Sequence, residues 1–537
     1  MIKYFGIQVA GLSVHYSMEL PAKIFFAVFY FLYCNLSPFL YKQFVFQKLL
    51  AKYQIKALIM KKIFFRFSYL VVISFLVFIP SQSNTQQVSP IVQQFITVTA
   101  DTFALVHAKL IDGTGGPAKP DQTIIVIKGR ITRVGNSSNT NISQTAKIID
   151  CNGKTIIPGM VMMHEHMFYG EFVPPYYFGM EMPLSFPRLY LAGGATTIRT
   201  TGTVEAQTDL NIKKWIDEGK MVGPDIDVTA PYFERESLPI PEIPFIKSPE
   251  EAAKLANFWI DKGCTSFKVY MNITRADLKQ VVTIAHKNNL KVTGHLCSIT
   301  YREAAELGID NLEHGFIPCS DFVVAKKEDA CPFGVQQSLT RLDVNSADMK
   351  NLMTFLIKKN VALTSTLPVF EPYTGREMIP GAGENALAPE IKESVEKTYK
   401  GSVGKDSSAT TLFKKEMAWE KRFVEMGGRL MAGVDPTGAG RTIPGYADRH
   451  VLELLVEAGF TFPQAVKICS LNAAEYLGRD KEIGTIAEGK RADLVLIDGD
   501  PEKEIKSVRN TEIVFKNGVG YDSKKLFDSV IGKVGLY

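Results

Sequence analysis

The sequence predicts an α/β fold: a (β/α)8 TIM-like barrel joined to a small β-sandwich made from the two ends of the chain. Three observations carry this expectation. Eight apolar runs of strand length recur through the middle of the chain, most of them separated by segments of helical periodicity. Both ends are instead rich in short strand patterns and Gly turns. Finally, His, Lys and Asp residues stand at the C-terminal ends of several middle runs, where a β/α barrel gathers its chemistry. An open doubly wound sheet would call for a Gly-rich phosphate turn after the first strand, and none is present.

From the N-terminus, residues 1–83 read as a leader. They hold nine Lys/Arg against the single acid Glu19, a charge of +8 that leaves −3 for the remainder of a chain whose total is +5. The body is therefore mildly acidic, which excludes a basic nucleic-acid-binding face. Met60-Lys61-Lys62, the apolar stretch Phe67 to Pro80 and the small polar Ser81-Gln82-Ser83-Asn84 have the layout of a signal peptide over about residues 60–83. A second apolar block, Ile24 to Tyr41, precedes it. Two readings stand: translation starts at Met60 and residues 1–59 are a mis-called extension, or both blocks are membrane segments. The first is preferred, because the run after Met60 is shorter than the ~20 residues of a spanning helix. Export to the periplasm or beyond the cell is expected, with anchoring by the leader as the alternative. Any membrane contact is confined to that leader.

Beyond a polar linker, Ala104 to Ile111, Thr123 to Ile127, Ile131 to Val134 and Ile148 to Cys151 read as strands, punctuated by turns at Gly129 and Gly153. The same style returns at Ala492 to Ile497 and Ile513 to Lys516. These flanks, 96–157 and 485–525, are expected to pair into one composite sandwich beside a barrel over 158–484. The barrel strands are Thr155–His164, Thr196–Thr201, Asp225–Ala230, Thr265–Tyr270, Lys291–His295, Asn311–His314, Val361–Ser365 and Arg429–Asp435. Arg275–Asn288 and Tyr301–Leu307 are clear helix patterns between them. The Pro- and Gly-rich stretch from Thr366 to about Lys405 reads as a long loop over the barrel mouth.

The chemistry starts with His164 and His166, one residue apart at the end of the first run. Side chains at i and i+2 of a strand share a face, so both imidazoles aim at one point that can hold a metal ion. Lys268, His295, His314 and Asp435 then stand at or near the ends of the fourth, fifth, sixth and eighth runs.

Here the sequence resembles the amidohydrolase superfamily, in particular its imidazolonepropionase-like and Xaa-Pro dipeptidase-like branch. The shared features are Asp112-Gly-Thr-Gly-Gly116, Pro158-Gly159 before the His-x-His pair, Glu313-His314-Gly315, Leu471-Asn-Ala-Ala474, and the ending Gly484-Thr-Ile-Ala-Glu-Gly-Lys-Arg-Ala-Asp-Leu-Val-Leu496. The resemblance implies two divalent metal ions, with zinc suited to the N and O donors. It implies His164, His166 and Asp435 on one ion, His295 and His314 on the other, and Lys268 bridging both as a CO2-derived carbamate. It also implies hydrolysis of an amide or cyclic amide C–N bond by a hydroxide shared between the metals, with Asp435 as general base and then acid. The family often has Asp two residues before the first His; this chain has Met162.

Other residues are read as structural. Glu165 must face away from the metal cluster, and Glu313 faces away from His314's side, as a support. His286 and His450 read as packing or surface residues, and His107 and His15 lie outside the barrel. Seven scattered cysteines form neither a disulfide framework nor a Cys-type zinc site, and Cys297 near His295 reads as a spectator. Tyr232 and Tyr270, at the ends of strands three and four, are candidate substrate contacts because a phenol can donate to a carboxylate. The expected partner is a small molecule or dipeptide, with a homo-oligomer left open. A Xaa-Pro dipeptidase is the narrower reading, and a ligand-binding barrel without catalysis is the competing class.

Overall fold

The computed structural model describes residues 88–235, 238–379, 381–404, 408–438 and 441–535. The expected leader and signal peptide fall outside them. Among the described residues no helix is long and apolar enough to cross a membrane.

Nineteen strands are formed among the described residues. The first six are β1 (Ile96–Val98), β2 (Thr102–Leu110), β3 (Lys119–Ile127), β4 (Arg130–Asn136), β5 (Lys147–Asp150) and β6 (Lys154–Pro158), and the last three are β17 (Leu494–Asp498), β18 (Thr511–Lys516) and β19 (Val519–Asp522). These nine make one mixed sheet, ordered β1-β19-β18-β17-β6-β2-β3-β4 with β5 on β2. The two ends of the chain thus meet through β17 and β6, antiparallel from Leu494 opposite Pro158 to Asp498 opposite Lys154. The sheet encloses its own apolar cluster, including Phe103, Leu105, Ile124, Ile156, Leu494 and Phe515.

Two further sheets are parallel. β7 (Met160–Glu165), β10 (Ala195–Thr200) and β11 (Asp225–Asp227) make one, and β12 (Ser266–Val269), β13 (Lys291–Gly294), β14 (Asn311–Glu313), β15 (Ala362–Ser365) and β16 (Leu430–Ala432) make the other, eight strands in all. The chain beyond β11 runs beside β12, with parallel bridges at Thr229–Ser266 and Phe233–Val269. At the other edge, the N–H groups of Val434 and Asp435 donate to the His164 carbonyl at 3.2 and 3.0 Å.

These eight strands occupy the eight expected runs, with one correction. Thr155–His164 is two strands in different sheets, β6 and β7, broken at Gly159. A Cβ at that position would collide with the Thr196 side chain, so only glycine lets the chain cross between sheets there. A hairpin not anticipated from the sequence, β8 (Phe168–Val173) with β9 (Tyr176–Glu181), follows β7.

Helices alternate with the parallel strands and show why the sequence places them. Arg275–Lys287 starts with a capping box between Thr274 and Asp277 and buries Leu278, Val281, Val282 and Ala285, one face at helical spacing. Tyr301–Leu307 repeats the device with Thr300 and Glu303 and stops at Gly308, whose φ is +95°. The stretch 366–405 is not an open loop. It contains a helix at Leu367–Phe370, a 3-10 turn at Glu371–Thr374 and a helix at Pro389–Ser402. Its Pro residues at 368, 372 and 389 lie in the first turns of these elements, where the missing N–H costs nothing.

Candidate metal centre

Five of the six residues implied as ligands stand at or just past the ends of β7, β13, β14 and β16, and Lys268 lies within β12. His164, His166, Lys268 and His314 are buried, and Asp435 and His295 are partly so. The rings pack against one another. His164 and His314 have centroids 4.5 Å apart, His295 and His314 4.4 Å, and His164 and His166 5.4 Å. His166 Nε2 lies 3.2 Å and His164 Nε2 3.7 Å from Asp435 Oδ1. His164, His314 and Asp435 each offer a ligand atom within 4.8 Å of the others.

Two of these positions have unusual backbone. His314 has φ +66° and Asp435 φ +53°, left-handed conformations that few non-glycine residues adopt. They are held by backbone bonds on either side: Gly315 N to Thr364 O at 3.0 Å, and Asp435 N to His164 O at 3.0 Å. Gly315 follows with φ +55°, and a Cβ there would collide with Glu416 Oε1, which accepts the Phe316 N–H at 2.8 Å. The Glu-His-Gly run is therefore a turn that only glycine can complete.

Around the imidazoles is a polar shell. His164 Nδ1 is 2.7 Å from Glu313 Oε2, and His166 Nδ1 is 2.9 Å from the Gly202 carbonyl. Thr366 Oγ1 lies 2.7 Å from His314 Nδ1. Glu313 Oε1 accepts from Arg199 Nη2 at 2.7 Å, from Asn311 Nδ2 at 2.6 Å and from Thr293 Oγ1. Arg199 also donates to the Met163 carbonyl from Nε at 3.0 Å and Nη2 at 2.7 Å, and Thr201 Oγ1 donates to the same oxygen at 2.7 Å. The β7–β10 register shifts beside these residues, and side-chain donors serve the Met163 carbonyl.

The electrostatics follow from burial. It pushes His164 and His314 well below the ordinary imidazole value and His295 down to about 3, with the charge of Lys268 acting in the same direction on all three. These rings are neutral at physiological pH and keep a lone pair for a cation. Burial also pushes the Lys268 ammonium down to about 8, against the charges of Glu313 and Asp435. Burial alone would raise Asp435, but His164, His166 and Lys268 hold its carboxyl below the usual range.

The remaining sequence candidates can be placed. Tyr232 and Tyr270 pack together at 4.9 Å, with Tyr270 5.1 Å from the His295 ring and Tyr232 6.3 Å from His166. Burial raises both phenols, so they remain protonated donors. Glu165 lies off the cluster, accepting the Val434 N–H at 3.1 Å. Glu313 supports His164, with Oε2 2.7 Å from its Nδ1. His286 pairs with Asp310 at 3.0 Å and His107 with Asp121 at 2.8 Å. His450 is ion-paired with Glu371 at 2.7 Å and Glu453 at 3.0 Å. His15 lies outside the described residues.

Cys297 is corrected from spectator to partner: it forms a disulfide with Cys331, 34 residues on. Such a separation carries no local spacing signal. Cys151, Cys264, Cys319 and Cys469 are free and buried, and Cys34 lies outside the described residues. Sequence reasoning also missed Phe168, 4.8 Å from His166, and Phe370, 5.6 Å from His314. It missed Arg199 too, although an arginine inside the strand Ala-Thr-Thr-Ile-Arg-Thr is the kind of charge that must be paired if buried.

Comparison with known proteins places the chain in a family. The model of the amidohydrolase family matches residues 155–519. A dihydroorotase of Elusimicrobium minutum (strain Pei191) is 21% identical over 420 residues, 74% of this chain and 90% of that protein. A solved structure from Bifidobacterium longum, described as a prolidase, has a TM-score of 0.58 at 22% identity, covering 80% of this chain and 99% of its own. A Xaa-Pro dipeptidase with methionine bound in its active site has a TM-score of 0.58 at 18% identity, covering 78% and 100%. At these identities the two structural likenesses speak to fold alone.

Proposed function

The chain belongs to the amidohydrolase family, and from that premise we propose that it hydrolyses an amide or cyclic amide C–N bond at a binuclear metal centre. One observation carries the reading: the Nε2 atoms of His164 and His166 face Asp435 while both Nδ1 atoms are engaged by acceptors. That arrangement fixes Nδ1–H and leaves Nε2 lone pairs free to bind a cation.

In this reading His164, His166 and Asp435 would hold one cation and His295 and His314 the other. Lys268 would add to them an anionic carbamate with two oxygen donors, formed when its unprotonated amine adds to CO2 and releases a proton. Its lowered pKa of about 8 favours that amine. The N and O donors suit zinc. When bound, the cations would lower the pKa of a water and polarise the scissile carbonyl. Asp435 takes the proton of the attacking water on its carboxylate and delivers it to the leaving nitrogen. Tyr232 and Tyr270 donate to the substrate, and Phe168 and Phe370 shield the site from bulk solvent while leaving room for the attacking water.

A Xaa-Pro dipeptidase is the narrower reading. The aromatic wall of Phe168, Tyr232, Tyr270 and Phe370 favours it, because such a wall suits a proline ring and two phenols can donate to a free carboxylate. We also propose that the eight parallel strands close as a (β/α)8 barrel over 158–484 and that the flanks, 96–157 with 485–525, fold as a small sandwich. The protein is exported through its leader. The Cys297–Cys331 disulfide fits an oxidising compartment.

The test is a panel of dipeptides, lactams and lactones with metal-reconstituted protein. Cleavage of amides or lactams is expected, and preference for C-terminal proline selects the dipeptidase. Cleavage of lactones alone would contradict C–N hydrolysis.

A further inference from the structure

We infer that Arg199 and Glu313 form a positioning relay that sets the tautomer of His164 and thereby the affinity of the metal site built on it. The inference rests on the metal-centre reading above and goes beyond it by assigning a role to residues that would touch neither metal nor substrate.

Position 162 supplies no acceptor, because Met162 is fully buried in the apolar core. The acceptor for His164 comes instead from β14. Glu313 is fully buried, and its two oxygens are divided in function: three donors (Arg199, Asn311 and Thr293) converge on Oε1, and Oε2 is left for His164 Nδ1. A buried carboxylate is stable only when its charge is paired and its lone pairs are used. Arg199 provides the pairing. It is 1% exposed and fixed by two bonds to the Met163 carbonyl, one residue before His164, with its guanidinium 5.6 Å from the Tyr476 ring centroid. One guanidinium therefore ties the backbone next to His164 to the carboxylate that holds the ring of His164.

The consequence for the ring is chemical. A carboxylate can only accept, so Nδ1 carries the proton and the Nε2 lone pair points to Asp435. Replacing Glu313 with Gln keeps the shape but cannot keep this pattern. With three donors fixed on Oε1, the amide NH2 must face His164 and donate to Nδ1. The ring proton then moves to Nε2, the atom that faces the metal position. His166 is independent of the relay, since its Nδ1 uses the Gly202 carbonyl, and His314 uses Thr366.

The experiment has two readouts. In 15N-histidine-labelled, metal-free wild-type protein at neutral pH, NMR should find His164 as the Nδ1–H tautomer; an Nε2–H tautomer would overturn the relay without any variant. In Glu313→Gln, NMR should find the Nε2–H tautomer. Metal titration by calorimetry should then show one of the two ions weakened roughly 10- to 100-fold and the other unchanged. Arg199→Lys, which keeps the charge with fewer donors, should weaken that same ion less. A folded Glu313→Gln protein that keeps both affinities and the wild-type tautomer refutes the relay. If Glu313→Gln fails to fold, the wild-type tautomer and Arg199→Lys still decide it. If the wild-type protein binds no divalent metal, the metal-centre reading fails, while the tautomer measurement still judges the hydrogen-bond relay.

Discussion

Among single residues, Asp435 combines strained backbone with the chemistry of the site. It is a left-handed residue whose N–H binds the His164 carbonyl and whose carboxylate faces two imidazoles. Asp435→Asn keeps the shape and removes the proposed proton acceptor. We expect kcat to fall at least roughly 10²- to 10⁴-fold, the range of general acid–base catalysis, with an unchanged circular dichroism spectrum. His450 gives a second test. Burial alone would lower its imidazole, but Glu371 and Glu453 overcome that and push it up to about 9. A group whose folded pKa is raised stabilises the fold fully below its unfolded value, near 6.5, and loses that contribution as pH rises through about 9. We expect Tm of the wild type to fall over this window and His450→Gln to show a flatter profile, with a wild-type advantage of about 3 kcal/mol or less at the acid end. Equal slopes would refute the assignment. His450 could be read as structural from sequence because it sits on a helix beyond the last strand. Its two carboxylate partners, one of them 79 residues away, could not.

At the scale of elements, the legible part is the set of eight parallel strands. Strands buried on both faces are continuous apolar runs, and catalytic groups at their ends mark direction as well as existence. The illegible parts have local physical causes. The run Thr155–His164 reads as one strand because both halves are apolar, and only the collision at Gly159 shows where the chain changes sheets. The β8–β9 hairpin is half aromatic, with exposed Phe172 and Tyr176 at its tip, so it lacks the apolar–polar alternation that marks a half-buried strand. The stretch 366–405 hides its helical elements because each carries a proline in its first turn, which reads equally well as a breaker. The Cys297–Cys331 disulfide joins the segments after β13 and β14 two residues from His295. For a separation of 34 residues, chain entropy alone gives about 3–4 kcal/mol of stabilisation. Cys331→Ser should lower the denaturant midpoint by a corresponding amount, and dithiothreitol should do the same to the wild type but not to the variant. An unchanged midpoint would mean that the two segments are held by packing alone.

For the whole molecule, the division of labour is simple. A nine-stranded sheet made from both ends of the chain is joined to the parallel strands through β6 and β7, on either side of Gly159. The parallel strands bring residues from 164 to 435 to one place, with loops and the β8–β9 hairpin supplying an aromatic surround. The sequence could locate that place because its residue types are rare: four of the eight histidines of the chain stand there. It could not reveal the polar shell, since Glu313, Arg199, Asn311 and Thr293 come from three strands and meet only in space. The most direct test of the proposed centre is to strip the purified protein with a chelator, then add divalent metal with and without bicarbonate. Metal content and amide hydrolysis are measured together. Two ions per chain and activity that returns only with metal, and more fully with bicarbonate, are the expected result. A protein that takes up no divalent ion and hydrolyses no amide under either condition would contradict it.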